Sequence, residues 1–367
     1  MALKNICLVT HGNFEDSNTW SGTPRILSSQ LRKRGFWVWG IDVSKISILF
    51  LRIINAVYVR LGFFSIFAHR GPILYRAFYK NIPRFLTCHS QKTDAVLFIA
   101  EHYLLHEYNP DTIYALYADA DPLERLPFLT FRKRNLGKSW FLEHYYNITK
   151  ESLKYLNFVF TQNEWTRQAL INNYRLSEDK VINVGFGINV EPYTGIKDYN
   201  SELLLILVRK GYERDKGLFE LVEAFKILRS MRPNVRLAVV GTDIIENTDG
   251  ITCYYNQPRE VTLDLYKLSS LYVLLNICEP NGISYLEALA NRTPIVGLDR
   301  FAFPEFSGYG RWGFILKNTA PEYIAHILDD ALNNKQRLQQ MGQEGQAYVL
   351  ERFRWEKVID RILNILK

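Results

Sequence analysis

Two glutamates eight residues apart, Glu279 and Glu287, flank a turn and a short helix-forming run in Cys278-Glu279-Pro280-Asn281-Gly282-Ile283-Ser284-Tyr285-Leu286-Glu287. Pro280 and Gly282 spell a strand-to-helix turn after the apolar run 271–276, and residues 283–290 have the composition of a helix. Backbone N–H groups near Gly282 to Ser284 would then open that helix, a place that favours an anion such as a diphosphate. The two carboxylates can approach one ligand from different sides and accept hydrogen bonds from the many hydroxyls of a polyol. Taken as an isolated pair, they also fit a duller role, with Glu279 capping the helix start and Glu287 solvated on its surface.

A second group of candidates is basic. Arg209 follows the apolar run 203–208, and Lys216-Gly217 opens a helix-period stretch at 218–229, so both belong to the connection of a strand–helix unit. The intervening Lys210-Gly211-Tyr212-Glu213-Arg214-Asp215 offers Lys210 and Arg214 as alternatives, although basic residues on loops are usually just solvated. In the first half of the chain Asp119 ends the run 112–118 and forms an Asp-x-Asp pair with Asp121. Hard cations use such carboxylates, but the pattern is short enough to recur by chance, and Asp121 before Pro122 also fits a helix N-cap. No metal is assigned. The loop Trp20-Ser21-Gly22-Thr23-Pro24 supplies small residues where backbone can come close to a ligand; Pro24 suits the first helical position, and an ordinary turn explains the loop as well.

These groups need a scaffold, and the chain reads as a repeated alternation of strand and helix. Apolar runs at 6–10 and 36–43 enclose a polar loop and a helix-period stretch at 26–34 closed by Gly35, which is a βαβ unit with its loop at the carboxyl end of a parallel strand. Strands are expected at 94–100, 112–118, 158–161 and 181–184, with a helix at 164–174. Residues 185–201 are polar, contain Gly185, Gly187, Pro192 and Gly195, and suit an interdomain linker. A second series follows, with strands at 203–208, 235–240, 271–276 and 294–297. At 367 residues the chain exceeds what one core usually supports. The expectation is therefore α/β, two Rossmann-like domains facing a cleft, spanning 1–187 and 188–354, with a final helix at about 355–367 packing back on the first.

Composition narrows the classes. Hydrophobic residues make up 47% and charged residues 23%, which excludes a largely disordered chain. Cys7, Cys88, Cys253 and Cys278 lie far apart with no CxxC pair, as buried thiols of a reducing compartment do, which argues against zinc or disulfides. The apolar run at 6–10 is too brief for a signal peptide or a spanning helix, so a cytoplasmic protein is expected. A net charge of +7 favours anionic partners. Residues 46–86 interleave Phe50, Tyr58, Phe63, Phe64, Phe67, Tyr75, Phe78 and Tyr79 with Arg52, Arg60, Arg70, Arg76, Lys80 and Arg84. Arg52 and Arg60 prevent this stretch from spanning a bilayer; it fits the interface of an anionic membrane, at the inner face of which the protein would then sit, about as well as it fits buried helices lining a binding cleft. The cluster Arg132-Lys133-Arg134 could assist either role.

The stretch from Glu279 to Gly297, with its two glutamates, small-residue helix and Thr293-Pro294-Ile295-Val296-Gly297, resembles the glutamate, seven residues, glutamate motif of retaining GT-B glycosyltransferases, family GT4 in particular. Residues 266–273, Pro304-Glu305, 313–316, Gln162-Asn163-Glu164-Trp165 and Gly187 with Asn189 are similar to further family segments, whereas 45–106 does not align. The resemblance implies a nucleotide-diphosphate-sugar donor held by the C-terminal domain and a glycan, lipid-linked or small-molecule acceptor held by the N-terminal one, with no cofactor and no metal. Glu279 would bind hydroxyls of the transferred sugar and Glu287 the ribose, while Asn281, Gly282 and Ile283 supply backbone contacts. Asn281 replaces a frequent aromatic residue and leaves the sugar open. Arg209 and Lys216 would meet the charge on the leaving diphosphate, as preorganised cations must in a metal-free site. Asp119 stands where many relatives carry a histidine near the reacting sugar, and Gly22 lies in the loop that approaches donor phosphate or acceptor. Nucleic acid is not an expected partner. Two competing expectations are a catalytically silent GT-B protein that binds a membrane surface or nucleic acid, and a GT-B nucleotide-sugar epimerase or inverting transferase.

Overall fold

The structure is a computed structural model. It describes residues 3–45, 93–100, 108–121, 138–277 and 281–366, together with Ile53, Val57, Arg60, Ile82, Leu86 and Leu123. Most of the basic aromatic stretch 46–86, the cluster at 132–134 and Glu279 lie outside the described residues. The chain divides into two compact units, Met1–Gly185 with Val358–Lys367, and Phe186–Lys357.

The first unit is built on strands β1 (Asn5–Thr10), β2 (Trp37–Asp42), β3 (Ala95–Ile99), β4 (Ile113–Ala118), β5 (Phe158–Thr161) and β6 (Val181–Asn183), with helices α1 (Thr23–Lys33), α2 (Lys138–Tyr155) and α3 (Glu164–Tyr174). Its sheet runs β2-β1-β3-β4-β5-β6, parallel throughout. Residues such as Cys7, Val9, Phe98, Leu116 and Val159 are buried, as expected of parallel strands covered on both faces. Helix α3 starts where it does because the buried Asn163 side chain accepts the Thr166 N–H at 2.7 Å. Helix α1 begins at Thr23, with Gly22 as its cap at φ +77°, which makes Pro24 the second rather than the first helical residue.

The second unit contains β7 (Leu203–Leu207), α4 (Leu218–Met231), β8 (Arg236–Val240), β9 (Ile251–Tyr254), α5 (Arg259–Leu268), β10 (Leu271–Val273), α6 (Ile283–Ala290), β11 (Ile295–Leu298), α7 (Phe303–Phe306), β12 (Gly313–Leu316), α8 (Pro321–Asn333) and α9 (Lys335–Arg352). A last helix, α10 (Trp355–Leu366), starts here and ends in the first unit. There Arg34 pairs with Asp360 at 2.8 Å and Arg361 donates to the Val184 carbonyl. The second sheet runs β12-β11-β10-β7-β8-β9, again parallel. The strand order reverses direction between β7 and β10, and an open α/β sheet binds its ligand beyond the carboxyl ends at such a point.

Three local differences from the sequence-based expectation have physical causes. Strand β9 was not anticipated, because Thr252 and Cys253 in its short sequence carry no clear alternation; it forms by pairing in register with β8. Strand β10 stops at Val273 rather than 276: the Leu274 N–H still meets the Val296 carbonyl of β11 at 3.0 Å, and by Ile277 the chain has turned to the Asp215 carbonyl at 2.9 Å. The stretch 185–201 is not a free linker: Phe186, Ile188, Val190 and Tyr199 are buried. Phe186 packs edge-on to Phe306 and Phe353, and Lys197 Nζ donates to the carbonyls of Tyr266 and Lys267 at the end of α5, where burial pulls its ammonium down to about 7.

Candidate functional site

The connections after β7 and β10 meet at the reversal point of the second sheet. The Asp215 to Ile277 hydrogen bond ties them together directly. Two further features hold the β7–α4 connection in shape. Gly217 takes φ +64°, and a Cβ there would stand 2.8 Å from the Leu275 carbonyl oxygen, so the Lys216-Gly217 step can press against the neighbouring connection only with glycine. Glu213, 7% exposed, accepts the Gly211 N–H at 2.9 Å and the Thr242 hydroxyl at 2.7 Å. Burial raises the proton affinity of Glu213, but those donors outweigh it and hold the carboxyl below its usual range.

On this clamped loop Lys216 is half-buried and Arg209 is exposed, its guanidinium 6.0 Å from the Tyr212 ring centre. Lys210 and Arg214 have partners of their own. Lys210 pairs with Asp243 at 2.7 Å and lies over Tyr255, and the Arg214 guanidinium lies over Phe219.

Helix α6 starts at Ile283 with Gly282 as its cap. Gly282 is buried against the Tyr285 ring, which would clash with any Cβ. Tyr285 cannot yield, because it is buried and its hydroxyl donates to the Leu274 carbonyl. Asn281 is half-buried at the same turn, and close by the Asn276 side-chain oxygen is buried without a hydrogen-bond partner. One turn further along α6, Glu287 has a side chain 12% exposed. The Tyr266 hydroxyl stands 3.5 Å from its Oε2, the Arg259 guanidinium 3.6 Å from its Oε1, and the Asn189 backbone N–H also donates to it. Burial pushes the Glu287 carboxyl up to about 7 against the lowering pull of Arg259, Tyr266 and Asn189. Among the described residues, then, the fold gathers Arg209, Lys216, Asn281, Gly282, Ile283 and Glu287 around one reversal point.

In the first unit, Trp20, Ser21 and Gly22 take φ values of 44°, 56° and 77° in succession, which is costly for the two non-glycine residues and marks a constrained loop. The Trp20 ring meets Tyr117 edge-on at 6.0 Å, and the Tyr117 hydroxyl donates to the Gly185 carbonyl at 2.8 Å. Asp119, two residues beyond Tyr117, is half-buried, and its carbonyl accepts the Thr166 hydroxyl at 3.0 Å. The loop that carries Gly22 and the end of β4 that carries Asp119 are thereby joined through Tyr117. Asp121 is fully buried and accepts from Asn173 at 2.7 Å, from Tyr174 at 3.1 Å and from the Leu123 N–H at 3.1 Å. That arrangement is the local capping role, and it occupies both oxygens of the second carboxylate in the Asp-x-Asp pair.

Sequence reasoning missed Glu213, Arg259 and Tyr266. No motif marks them, since each acts through what the fold brings beside it. Glu213 alone left a trace, as an acidic residue among glycine and basic neighbours in a loop.

Residues 195–348 match the family model described as glycosyl transferases group 1. The chain is 22% identical over 253 residues to the putative glycosyltransferase EpsD of Bacillus subtilis, covering 62% of this chain and 64% of that protein. It is 24% identical over 235 residues to the capsular polysaccharide biosynthesis glycosyltransferase CapM of Staphylococcus aureus, covering 57% of this chain and 62% of that protein. The matches span somewhat under two thirds of these relatives' length. In structure it is similar to sucrose-phosphate synthase from Thermosynechococcus elongatus, with a TM-score of 0.71 at 13% identity over 99% of this chain and 98% of that one. The likeness in structure establishes the fold, two Rossmann-like units of the GT-B type. Among the described residues no helix is long and apolar enough to cross a membrane.

Proposed function

We propose, from the premise that residues 195–348 belong to the glycosyl transferases group 1 family, that the chain is a retaining glycosyltransferase. It takes a sugar from a nucleotide-diphosphate donor and needs no metal. The donor binds the Phe186–Lys357 unit and the acceptor, a glycan, lipid-linked or small molecule, the other unit. The observation that carries this reading is the joining of the β7–α4 connection to the segment after β10 at the reversal of a parallel sheet, which sets a basic loop against the chain that leads into α6.

Departure of a nucleoside diphosphate builds negative charge on the leaving oxygens. Lys216, Arg209 and the N–H groups of Gly282 and Ile283 receive it, and preorganised groups of this kind are usually the largest single contribution to catalysis. Glu287 accepts the ribose hydroxyls and Glu279 those of the transferred sugar, with Asn281 beside it. Asp119 orients a hydroxyl in the N-terminal unit. The acceptor attacks on the face from which the diphosphate leaves, so the product keeps the donor's anomeric configuration. A cytoplasmic site of action, with peripheral contact at the inner face of an anionic membrane through the basic aromatic stretch, belongs to the same proposal.

Thermal unfolding with UDP, GDP, ADP or dTDP, each with EDTA, tests it in wild type and Glu287→Ala. A nucleotide at about 100 times its Kd stabilises the fold by about 2.7 kcal/mol. One nucleotide should raise the wild-type midpoint without metal and fail to do so in the variant. Stabilisation by none, or only with a divalent ion, overturns the metal-free donor site.

A further inference from the structure

The surroundings of Glu287 assign a role to a residue outside the family motif. Arg259 is the first residue of α5, and its guanidinium makes two contacts at once. It pairs with Glu287 Oε1 at 3.6 Å and donates to the Asn189 carbonyl at 2.5 Å. Asn189 itself sends its N–H to the Glu287 carboxylate and accepts the Trp355 indole N–H on its side-chain oxygen at 3.1 Å. Next to it the Ile188 N–H bonds the Phe353 carbonyl at 2.8 Å. Asn189 and Trp355 lie close to the two points, after Gly185 and after Lys357, where the chain passes from one unit to the other. Arg259, Asn189 and Glu287 thus close a ring whose third side is fastened to both passages.

We propose that Arg259 is a positioning residue: by bridging Glu287 to the backbone of Asn189 it favours the charged form of the buried side chain and aims it as an acceptor. The inference rests on Glu287 as the donor-site carboxylate but reads out without any nucleotide. The titratable or charged groups that face Glu287 among the described residues are Arg259 and Tyr266 on α5 and Tyr272 on β10. Arg259 is the only cation of the three, and the tyrosines are buried and stay neutral. Without the guanidinium, burial is opposed only by the Tyr266 hydroxyl and the Asn189 N–H, and the carboxyl takes up a proton at higher pH.

The test is a set of thermal melts from pH 5 to 9 on wild type, Arg259→Ala, Glu287→Gln and the double variant, all without ligand. The difference between wild type and Glu287→Gln isolates the Glu287 titration. In the Arg259→Ala background that difference should begin at the same pH but keep growing to higher pH before it levels off, and Arg259→Lys should bring the plateau part of the way back. An identical pH profile in both backgrounds overturns the proposal, because a guanidinium that serves only to pack α5 shifts the midpoint without moving the titration. In a second arm, Arg259→Ala should bind the stabilising nucleotide ~10-fold more weakly at neutral pH, the loss expected for one charge-assisted hydrogen bond, and recover at pH 9. A shifted profile with no nucleotide bound by wild type would uphold Arg259 and remove the donor reading instead. A binding defect in Arg259→Ala that is the same at every pH counts against the proposal.

Discussion

The loop around Glu213 and the helix face around Glu287 present the same problem, a carboxylate taken out of water, and resolve it in opposite ways. Glu213 receives short hydrogen bonds from the Gly211 N–H and the Thr242 hydroxyl and is held below the usual carboxylate range. Glu287 has its nearest hydroxyl at 3.5 Å and its cation at 3.6 Å, and burial carries it up to about 7. Two causes separate them: Glu287 lies deeper among packed atoms, and Glu213 is offered shorter hydrogen bonds. A carboxylate whose acceptors are filled holds a loop in place. One whose acceptors are half filled is suited to hydroxyls arriving from outside.

The largest effect should come from the loop that Glu213 holds. Lys216→Ala is expected to lower kcat by about 10²–10³, the scale for loss of one preorganised charge-stabilising group, with little change in nucleotide affinity. Release of the stabilising nucleotide from its sugar ester measures the first and a binding isotherm the second. If the variant loses affinity and keeps kcat, the division of labour between loop and helix face is wrong. Next in size, Glu213→Ala should destabilise the fold by about 1.5–3 kcal/mol in urea melts, as expected for hydrogen bonds to a charged group. An effect within error would mean that the loop keeps its shape without the clamp.

The smallest effect is the most discriminating, because its sign differs between the two sites. Glu213 is lowered in the folded state, so its contribution is present above the unfolded carboxyl value and is lost as pH falls through the folded one. Glu287 is raised, so its contribution is complete below the unfolded value and is lost as pH rises toward about 7. Glu213→Gln should therefore cost most near neutrality and least in acid, whereas Glu287→Gln should gain on wild type between pH 5 and 8. Urea melts from about pH 3 to 8 check both slopes, the Glu213 one in the acid part and the Glu287 one above it, and parallel slopes would dissolve the contrast.

The chain's alternation of apolar runs and helix-period stretches was legible element by element. Strand 158–161 and the helices at 164–174 and 283–290 were delimited in advance to the residue. They could be, because local signals mark their ends: an asparagine cap before α3, and a proline and glycine turn before α6. Strand β9 escaped because it exists only by pairing with β8, and the polar look of 185–201 hid Phe186, Ile188 and Tyr199, whose burial depends on partners far along the chain. In the candidate site, Gly282 was legible from the turn chemistry of a helix start, whereas Lys216 and Glu287 were singled out by the resemblance of their surroundings to a family motif. Arg259 and Tyr266 were not, since they sit some twenty to thirty residues upstream on another helix and meet Glu287 only when α5 packs beside α6.

Residue type and spacing by themselves determined the architecture, the two glutamates and the basic loop, because hydrophobic period, turn chemistry and the start of a helix are properties of a few neighbouring residues. Tertiary structure alone decided which acid is a clamp and which is left open. That depends on which donors stand within about 3 Å of a buried oxygen, a distance set by packing between segments whose separation along the chain carries no information about it.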